Sequence, residues 1–556
     1  MFTNLINGPS GFKYPYAINQ SCRFNFADTA FLNRTWAAAG NQRLWSFSTW
    51  FKMGNLVASD GYESLFSAGS STATQCGIYF SSRKLLVLMN NNSGGTHQTD
   101  DVFRDPSSWY HVLCVYDSEN GTADNRIRIY VNGVEVDKTI SSVVPLNYDG
   151  YININSGIHA VGSFRNTIYS GEFDGYMAET NFIDGATKTP SDFGDFVKDI
   201  NNNVWIPKRY SGSYGDEGFY LDYSNASHFG EDQSGNSNDF TDNGFSTDDQ
   251  VPDTPTKNYC TFNPIDYETS IGTLTNGNLR SGGAVGVLRG SMSIPASGKW
   301  YFEWEHISTP GGANPVNIGI QSAEVNTKHD ADWQCTIYSD NGANHIIFAR
   351  EGGASTSTQN MPNYVGIAIN DVTQVAYDAD TGEIWFGLNN TWFDGSGGTT
   401  GNPSAGTNPT YTFTDATQRW SAMKDHAGAT FTIELNCGQL GFAYSAPTGF
   451  KELKSLNITA LSSPFDDYVS CATENDYSSG TYTGTGSADG PVVLIGYKPT
   501  NVCIDGTSYD GSSGIIDILA NGFKLRHAST KNVNTTVYNW EAWVKQDHKR
   551  SNAEIN

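Results

Sequence analysis

At 556 residues the chain is too long for one hydrophobic core, and about two to four domains are expected. With 58 glycines, 13% aromatic residues and almost no helical periodicity, the composition points to an all-β protein. The formal net charge of -25 repels nucleic acid and anionic membranes, so neither is an expected partner.

The first candidate unit runs over residues 1 to 200. Met1-Phe2-Thr3-Asn4 has no basic region followed by an apolar core, so it does not read as a signal peptide. No apolar run approaches the ~20 residues that span a bilayer. Ser21-Cys22-Arg23-Phe24-Asn25-Phe26 reads as a strand. From Trp45 to Lys52, alternation puts Trp45, Phe47 and Phe51 on one face. Glu63 to Ala68 and Leu85 to Met89 are further strands. Trp109 to Asp117 and Arg126 to Val131 are two alternating runs, the second ending in a hairpin turn at Asn132-Gly133, because both residues tolerate positive φ. Glu172 to Ile183 closes the unit. Many short strands between turns indicate a two-sheet sandwich. A short helix is expected near Ser191 to Asn201, where Phe193, Phe196 and Val197 could share a face.

These residues resemble the laminin-G-like or concanavalin-A-like jelly roll. The resemblance rests on Trp109 to Asp117, Arg126 to Gly133, the opening Cys22-Arg23-Phe24-Asn25, Ala30 to Thr35, Ala39 to Arg43, and the closing Phe173 to Glu179. The opening and closing stretches are similar to laminin-G-like domains in virion proteins of marine bacteriophages. That family usually binds glycans or proteins and only sometimes does chemistry.

Residues 201 to 258 read as an Asp/Asn-rich connector, with Gly218 to Tyr223 as a strand and Pro252 and Pro255 marking a linker. Residues 259 to 455 form a second unit. Gly298-Lys299-Trp300-Tyr301-Phe302-Glu303-Trp304-Glu305, Val365-Gly366-Ile367-Ala368 and Gly382-Glu383-Ile384-Trp385-Phe386, in that order, resemble a SPRY domain. SPRY domains are binding modules. Asn390 stands where that family commonly has glycine, and Asn also tolerates left-handed φ. Residues 456 to 556 read as a small β-domain, with strands at Val492 to Tyr497, Asn501 to Asp505, Gly522 to Arg526 and Val537 to Lys545. The fold expected is therefore all-β: tandem β-sandwich (jelly-roll) domains with a small C-terminal β-domain.

Eight cysteines are scattered without a C-x-x-C pair, which disfavours zinc ribbons and redox motifs and predicts a reduced protein. No cofactor is required by any motif. Around Gly235, Asp232, Ser234, Asn236, Asn238 and Asp239 place oxygens at close spacing, and Ca²⁺ accepts such ligands, although the bidentate Glu of an EF-hand loop is missing. An Asx-rich surface turn explains the same residues. Paired carboxylates on one strand would mark a glycosidase, and no Glu-x-Asp-x-x-Glu run is present. Glu303 and Glu305 share a strand face that resembles a solvated SPRY face. Asp192-Phe193-Gly194 matches a kinase magnesium motif without its companions, and neither a Gly-x-Ser-x-Gly elbow nor a His-x-x-x-His pair occurs. A non-enzymatic protein is expected.

Trp45, Trp50, Trp109, Trp300, Trp304 and Trp385 lie within strands, which assigns most of them to cores. The loop aromatics Tyr62, Trp392, Phe393, Tyr411 and Trp420 are the ligand candidates, since a flat ring can stack on sugar C–H groups.

The series of modules resembles a bacteriophage virion protein. That resemblance implies a tail fibre, spike or receptor-binding appendage that attaches to host-surface glycan or protein and contacts other virion proteins. It also implies a homo-oligomer, with a trimer favoured, although no heptad repeat is visible. The expected location is the virion, tail or capsid surface, after synthesis in the host cytoplasm. The alternatives are a capsid fibre or decoration protein and, third, a glycan depolymerase.

Overall fold

The computed structural model describes residues 14–543, apart from 55–61, 70–73, 92, 165–170, 200–201, 268–271, 284, 309–315, 323–333, 340–345, 352–353, 362–366, 415–419, 427–431, 459–476, 486–489, 495–498, 500, 510–514, 520–521 and 527–530. The described residues form strands and short 3-10 turns, with no α-helix among them. None of the described residues builds a helix long and apolar enough to cross a membrane.

The first sandwich has two antiparallel sheets of eight strands. In the front sheet, Leu44–Met53 lies between Trp109–Asp117 and Gly175–Asp184, and Ser21–Phe24 lies beyond Gly175–Asp184. The expected alternation holds: Trp45, Phe47 and Phe51 enter the main core with Val112, Cys114 and Tyr116 of the neighbouring strand. Asn132 and Gly133 have φ of 48° and 82°, the left-handed pair that the hairpin needs.

Two expectations are corrected in and after this unit. Ser191 to Asp199 is not a helix, and residues 200 and 201 of the expected helix lie outside the described residues. A 3-10 turn at Pro190–Asp192, capped by Thr189, leads into the strand Gly194–Asp199, which pairs with Asn202–Pro207. Phe193 is buried and Phe196 is 48% exposed, so the helical face is never assembled. The connector is also more than a linker. Phe219–Leu221 and Gln250–Val251 join the front sheet, and Thr241–Asn243 extends the back sheet. Phe219, Leu221, Tyr223, Phe229 and Phe240 fill the same core, so this polar segment is held by five apolar anchors.

The second sandwich packs a seven-stranded sheet and a nine-stranded sheet around a core that includes Trp304, Ile320, Val375, Phe386 and Leu435. Lys299–His306 and Val372–Asp378 pair at its centre, and Glu383–Leu388 follows. Asn389 and Asn390 both have positive φ, so the turn tolerates Asn at the glycine position. Val365 and Gly366 lie outside the described residues. The last segment carries a four-stranded and a three-stranded sheet, with Val492–Leu494, Asn501–Ile504, Gly522–Leu525 and Val537–Trp543 among their strands. The cysteines Cys22, Cys76, Cys114, Cys260, Cys335, Cys437 and Cys503 are free, and Cys471 lies outside the described residues.

By contacts the chain divides into two compact units. The first comprises Met1–Asp195, Trp205–Ala323 and Thr327–Ile458, and so holds both large sandwiches. The second comprises Phe196–Val204, Glu324–Asn326 and Thr459–Asn556.

Within the first unit the two sandwiches are joined by buried polar contacts. Lys52 is fully buried and its Nζ donates to Asp253 Oδ2 at 2.9 Å, Asn258 Oδ1 at 2.8 Å and the Tyr259 carbonyl at 3.1 Å. Asn278 Nδ2 donates to the Gly54 carbonyl, and the Tyr176 hydroxyl to the Gly277 carbonyl, both at 2.7 Å. Gly277 has φ of 60°, and a Cβ there would fall 2.2 Å from the Tyr176 hydroxyl oxygen, so this turn requires glycine. Asp253→Ala would strand the Lys52 ammonium without a counter-charge. The expected loss is about 3–5 kcal/mol of stability, read as a lower denaturation midpoint by tryptophan fluorescence.

Candidate functional site

The front sheet of the first sandwich has a second, outer face. On Leu44–Met53 it carries Ser46, Ser48, Trp50 and Lys52, opposite in parity to the core residues. Across the pairing, Trp50 stands beside His111 on one side and Ala178 on the other, while Lys52 faces Trp109. Trp50, Trp109, Tyr176 and Ala178 form an apolar patch with Ile18 and Val251, against which Tyr16 and Trp205 pack.

A cavity of about 230 Å³ opens on this patch. Its walls come from distant parts of the first unit. The first sandwich supplies Trp50, Ser108 and Trp109, and the N-terminal stretch supplies Tyr14. Trp205 and Pro207 form another wall, and Pro255 and Asn258 a further one. Ser455, after the second sandwich, completes it.

Each wall is held in place. The Trp205 ring lies 5.7 Å from that of His111, which lies 5.0 Å from that of Trp50. His111 is fully buried, and burial lowers its pKa to about 3, so it serves as a neutral aromatic spacer. Its Nε2 meets the Ser48 hydroxyl at 2.9 Å. Trp109 Nε1 donates to Asp253 Oδ1 at 3.0 Å. Asn258 accepts from Lys52 at Oδ1, donates from Nδ2 to the Ser107 carbonyl at 2.6 Å, and donates its backbone N–H to Ser455 Oγ at 3.0 Å. The result is a rigid slot of indole faces with amide and hydroxyl groups at its edges. None of the lining side chains is a carboxylate, imidazole or thiol, and the polar side chains of the slot are the hydroxyls of Tyr14, Ser108 and Ser455 and the amide of Asn258.

Beside the patch, the pairing of Gly175–Asp184 with Leu44–Met53 slips between Ala178 and Asn181. At this bulge Glu179 takes φ of 52° and sits 7% exposed. The Tyr220 hydroxyl lies 2.9 Å from both carboxylate oxygens, and the Tyr16 hydroxyl lies 3.4 Å from that of Tyr220. Burial raises the Glu179 pKa to about 7, against the opposing pull of the two phenols and Arg209.

The residues singled out from the sequence lie elsewhere. Phe393 is 1% exposed inside the second core, so packing leaves it no face for a ligand. Trp392 is half-buried near Tyr301. Tyr411 donates to Glu351 Oε1 at 2.9 Å and packs edge-on to Phe413. Tyr62 packs on Tyr79 and Phe164, in a separate patch of the first sandwich. Trp420 opens the strand Trp420–His426, and its side chain lies outside the described residues.

The Asp232 loop is an Asx turn in which both Asp232 carboxylate oxygens accept hydrogen bonds. Asp232 Oδ1 accepts from the N–H groups of Tyr220 and Ser234, and Oδ2 from the Ser234 hydroxyl and the Asn238 N–H. Asp239 Oδ1 accepts from the Asp232 N–H, and the amides of Asn236 and Asn238 donate to backbone carbonyls. Arg34 donates to Asn238 Oδ1, placing a cation where a metal would need a free oxygen. Among the described residues, no group of three or more His, Cys, Asp or Glu side chains is placed to hold a metal ion.

Glu303, expected on a solvated face, is 2% exposed. The loop after the closing strand folds over it, and Tyr301 Oη, Ala443 N and Tyr444 N all donate to its carboxylate. Asp192 of the Asp-Phe-Gly run accepts from the Thr189 N–H as a turn cap.

Sequence reasoning placed most strand tryptophans in cores and missed that Trp50 and Trp109 line the cleft. The parity of Leu44–Met53 was the available signal, since Trp50 falls opposite Phe47 and Phe51.

Residues 33–190 match the family model described as the Concanavalin A-like lectin/glucanases superfamily. No curated protein matches the chain. Among solved structures, domains LG4-5 of the mouse laminin alpha1 chain are 10% identical, covering 81% of this chain and 91% of that one, with a TM-score of 0.25. The SPRY domain of human HERC1 is 14% identical, covering 32% and 96%, with a TM-score of 0.23. A putative carbohydrate binding protein from Bacteroides ovatus is 14% identical, covering 41% and 58%, with a TM-score of 0.29. Likeness at this level concerns the fold alone.

Glu179 gives a pH prediction. Its proton is held to about pH 7 in the folded chain and is released near the ordinary 4.5 when unfolded. The stability it contributes is therefore complete below 4.5 and is lost as pH rises through about 7. Relative to the native chain, Glu179→Gln should gain on the order of 3 kcal/mol between about pH 4 and about pH 8, measured by denaturant unfolding at each pH.

Proposed function

We propose that this chain is a non-enzymatic adhesion protein that binds glycan through the tryptophan-lined cleft of its first unit. The carrying observation is the cleft itself: Trp50, Trp109, Trp205 and Tyr14 around one cavity, with hydroxyl and amide groups at its edge. Sugars present an apolar C–H face and a polar rim, and this lining complements both. The concanavalin-A-like match over residues 33–190 supports a binding role.

The finer reading is a receptor-binding appendage of a bacteriophage particle. What supports it is the order of modules, laminin-G-like then SPRY-like, with the virion-like stretches at Cys22 to Arg43 and Phe173 to Glu179. Several copies on one particle would turn weak single-site contacts into firm attachment. Immunogold labelling of particles tests the placement. Label on tails or fibres fits the appendage, and label over the head replaces it with capsid decoration.

The binding reading is tested on a glycan array with the full chain and Trp205→Ala. Removing a central aromatic anchor is expected to weaken every glycan signal at least tenfold, about 1.4 kcal/mol or more. Undiminished binding by the variant would show that the cleft is not the site.

A further inference from the structure

We propose that the cleft is a subsite for one uncharged sugar ring of a glycan and that it discriminates against acidic sugars. This rests on the glycan reading above and adds the ligand class.

Size is the first argument. A space of about 230 Å³ equals roughly eight waters at about 30 Å³ each. That is room for one pyranose ring, with any further sugar extending out of the open mouth.

Charge is the second. No lining side chain is ionised at neutral pH. The neighbouring cation, Lys52, is fully buried, and its three ammonium protons are matched by its three acceptors, Asp253, Asn258 and the Tyr259 carbonyl. Within the lining itself a ligand carboxylate would lose its water and meet no counter-charge. It would also approach a chain of net charge -25.

Hydrogen bonding is the third. The Asn258 side chain is committed at both ends, to Lys52 and Ser107. Ser455 Oγ accepts from the Asn258 N–H and keeps its proton to donate. The lining is mostly indole, phenol and proline, so stacking dominates and neutral hexoses are separated only shallowly.

The experiment titrates the full chain with methyl glucoside, methyl galactoside and N-acetylglucosamine, and in parallel with glucuronic acid and N-acetylneuraminic acid. Tryptophan emission is the readout, at low and high salt. Expected is a saturable change with at least one neutral sugar, an affinity independent of salt, and acidic sugars at least tenfold weaker. Trp205→Ala should abolish the change. If that variant melts early, Trp205→Phe keeps the packing and should bind several-fold more weakly. Acidic sugars bound as tightly as neutral ones would overturn the inference and leave the glycan reading standing. So would binding of oligosaccharides without response to any single sugar. No response to any carbohydrate, free or arrayed, would remove both.

Discussion

A buried ammonium must be met by protein on every side, and much of the first unit is arranged around that demand. Lys52 leaves the front sheet on its outer face and is fully enclosed, as is its partner Asp253. The isolated ion would be intolerable in such a place. Asp253, Asn258 and the Tyr259 carbonyl therefore have to lie where they do, and that fixes the chain between the two sandwiches. The same Asp253 orients the Trp109 indole, and the same Asn258 reaches Ser455. Docking of the sandwiches and construction of the cleft are one hydrogen-bonded network. Stability alone does not explain an ion pair there, since well-packed apolar groups can do as well. A fixed geometry at the junction is what the network adds.

The front sheet does two jobs with one set of strands. Its inner parity carries a dense aromatic core, and its outer parity carries Trp50, Trp109, Tyr176 and Ile183. A sheet that is apolar on both faces needs cover on both. The N-terminal stretch, the segment from Trp205, the connector and the second sandwich supply it. Cover assembled from several pieces leaves an imperfect seam, and the cleft lies where Tyr14, Trp205, Pro255 and Ser455 approach one another. The bulge at Glu179 belongs to the same face. There the backbone carries an extra residue and a left-handed φ, and a carboxyl is buried under two phenols.

Local features were legible in the sequence where a single principle governs them. Alternation in Leu44–Met53 assigned Trp45, Phe47 and Phe51 to the core, and Asn132-Gly133 announced its hairpin. Asn390 could replace glycine because its side chain tolerates left-handed φ. Expectations failed where distant residues decide. Phe193, Phe196 and Val197 have helical spacing, but pairing with Asn202–Pro207 draws Phe196 and Val197 into a strand while Phe193 stays behind at the end of the 3-10 turn. The Asp232 loop has the composition of a cation site, yet backbone donors and Arg34 reach its oxygens first. Glu303 alternates like a solvated residue and is enclosed by a loop some 140 positions later. The cleft was least legible, since it joins residues from Tyr14 to Ser455 and no local pattern names it.

A slot built this way has consequences for how binding would work. Asn258 and Trp109 are already held by hydrogen bonds, its prolines are fixed in φ, and its indoles are packed against neighbours. Little conformational freedom is left to lose when a ring enters, so the entropic cost of ordering the site is small. The opposing limit is that contact made mainly by stacking on one ring brings a small gain per ring. A rigid site with modest single-ring affinity suits attachment by many copies, where effective concentration supplies what each contact lacks.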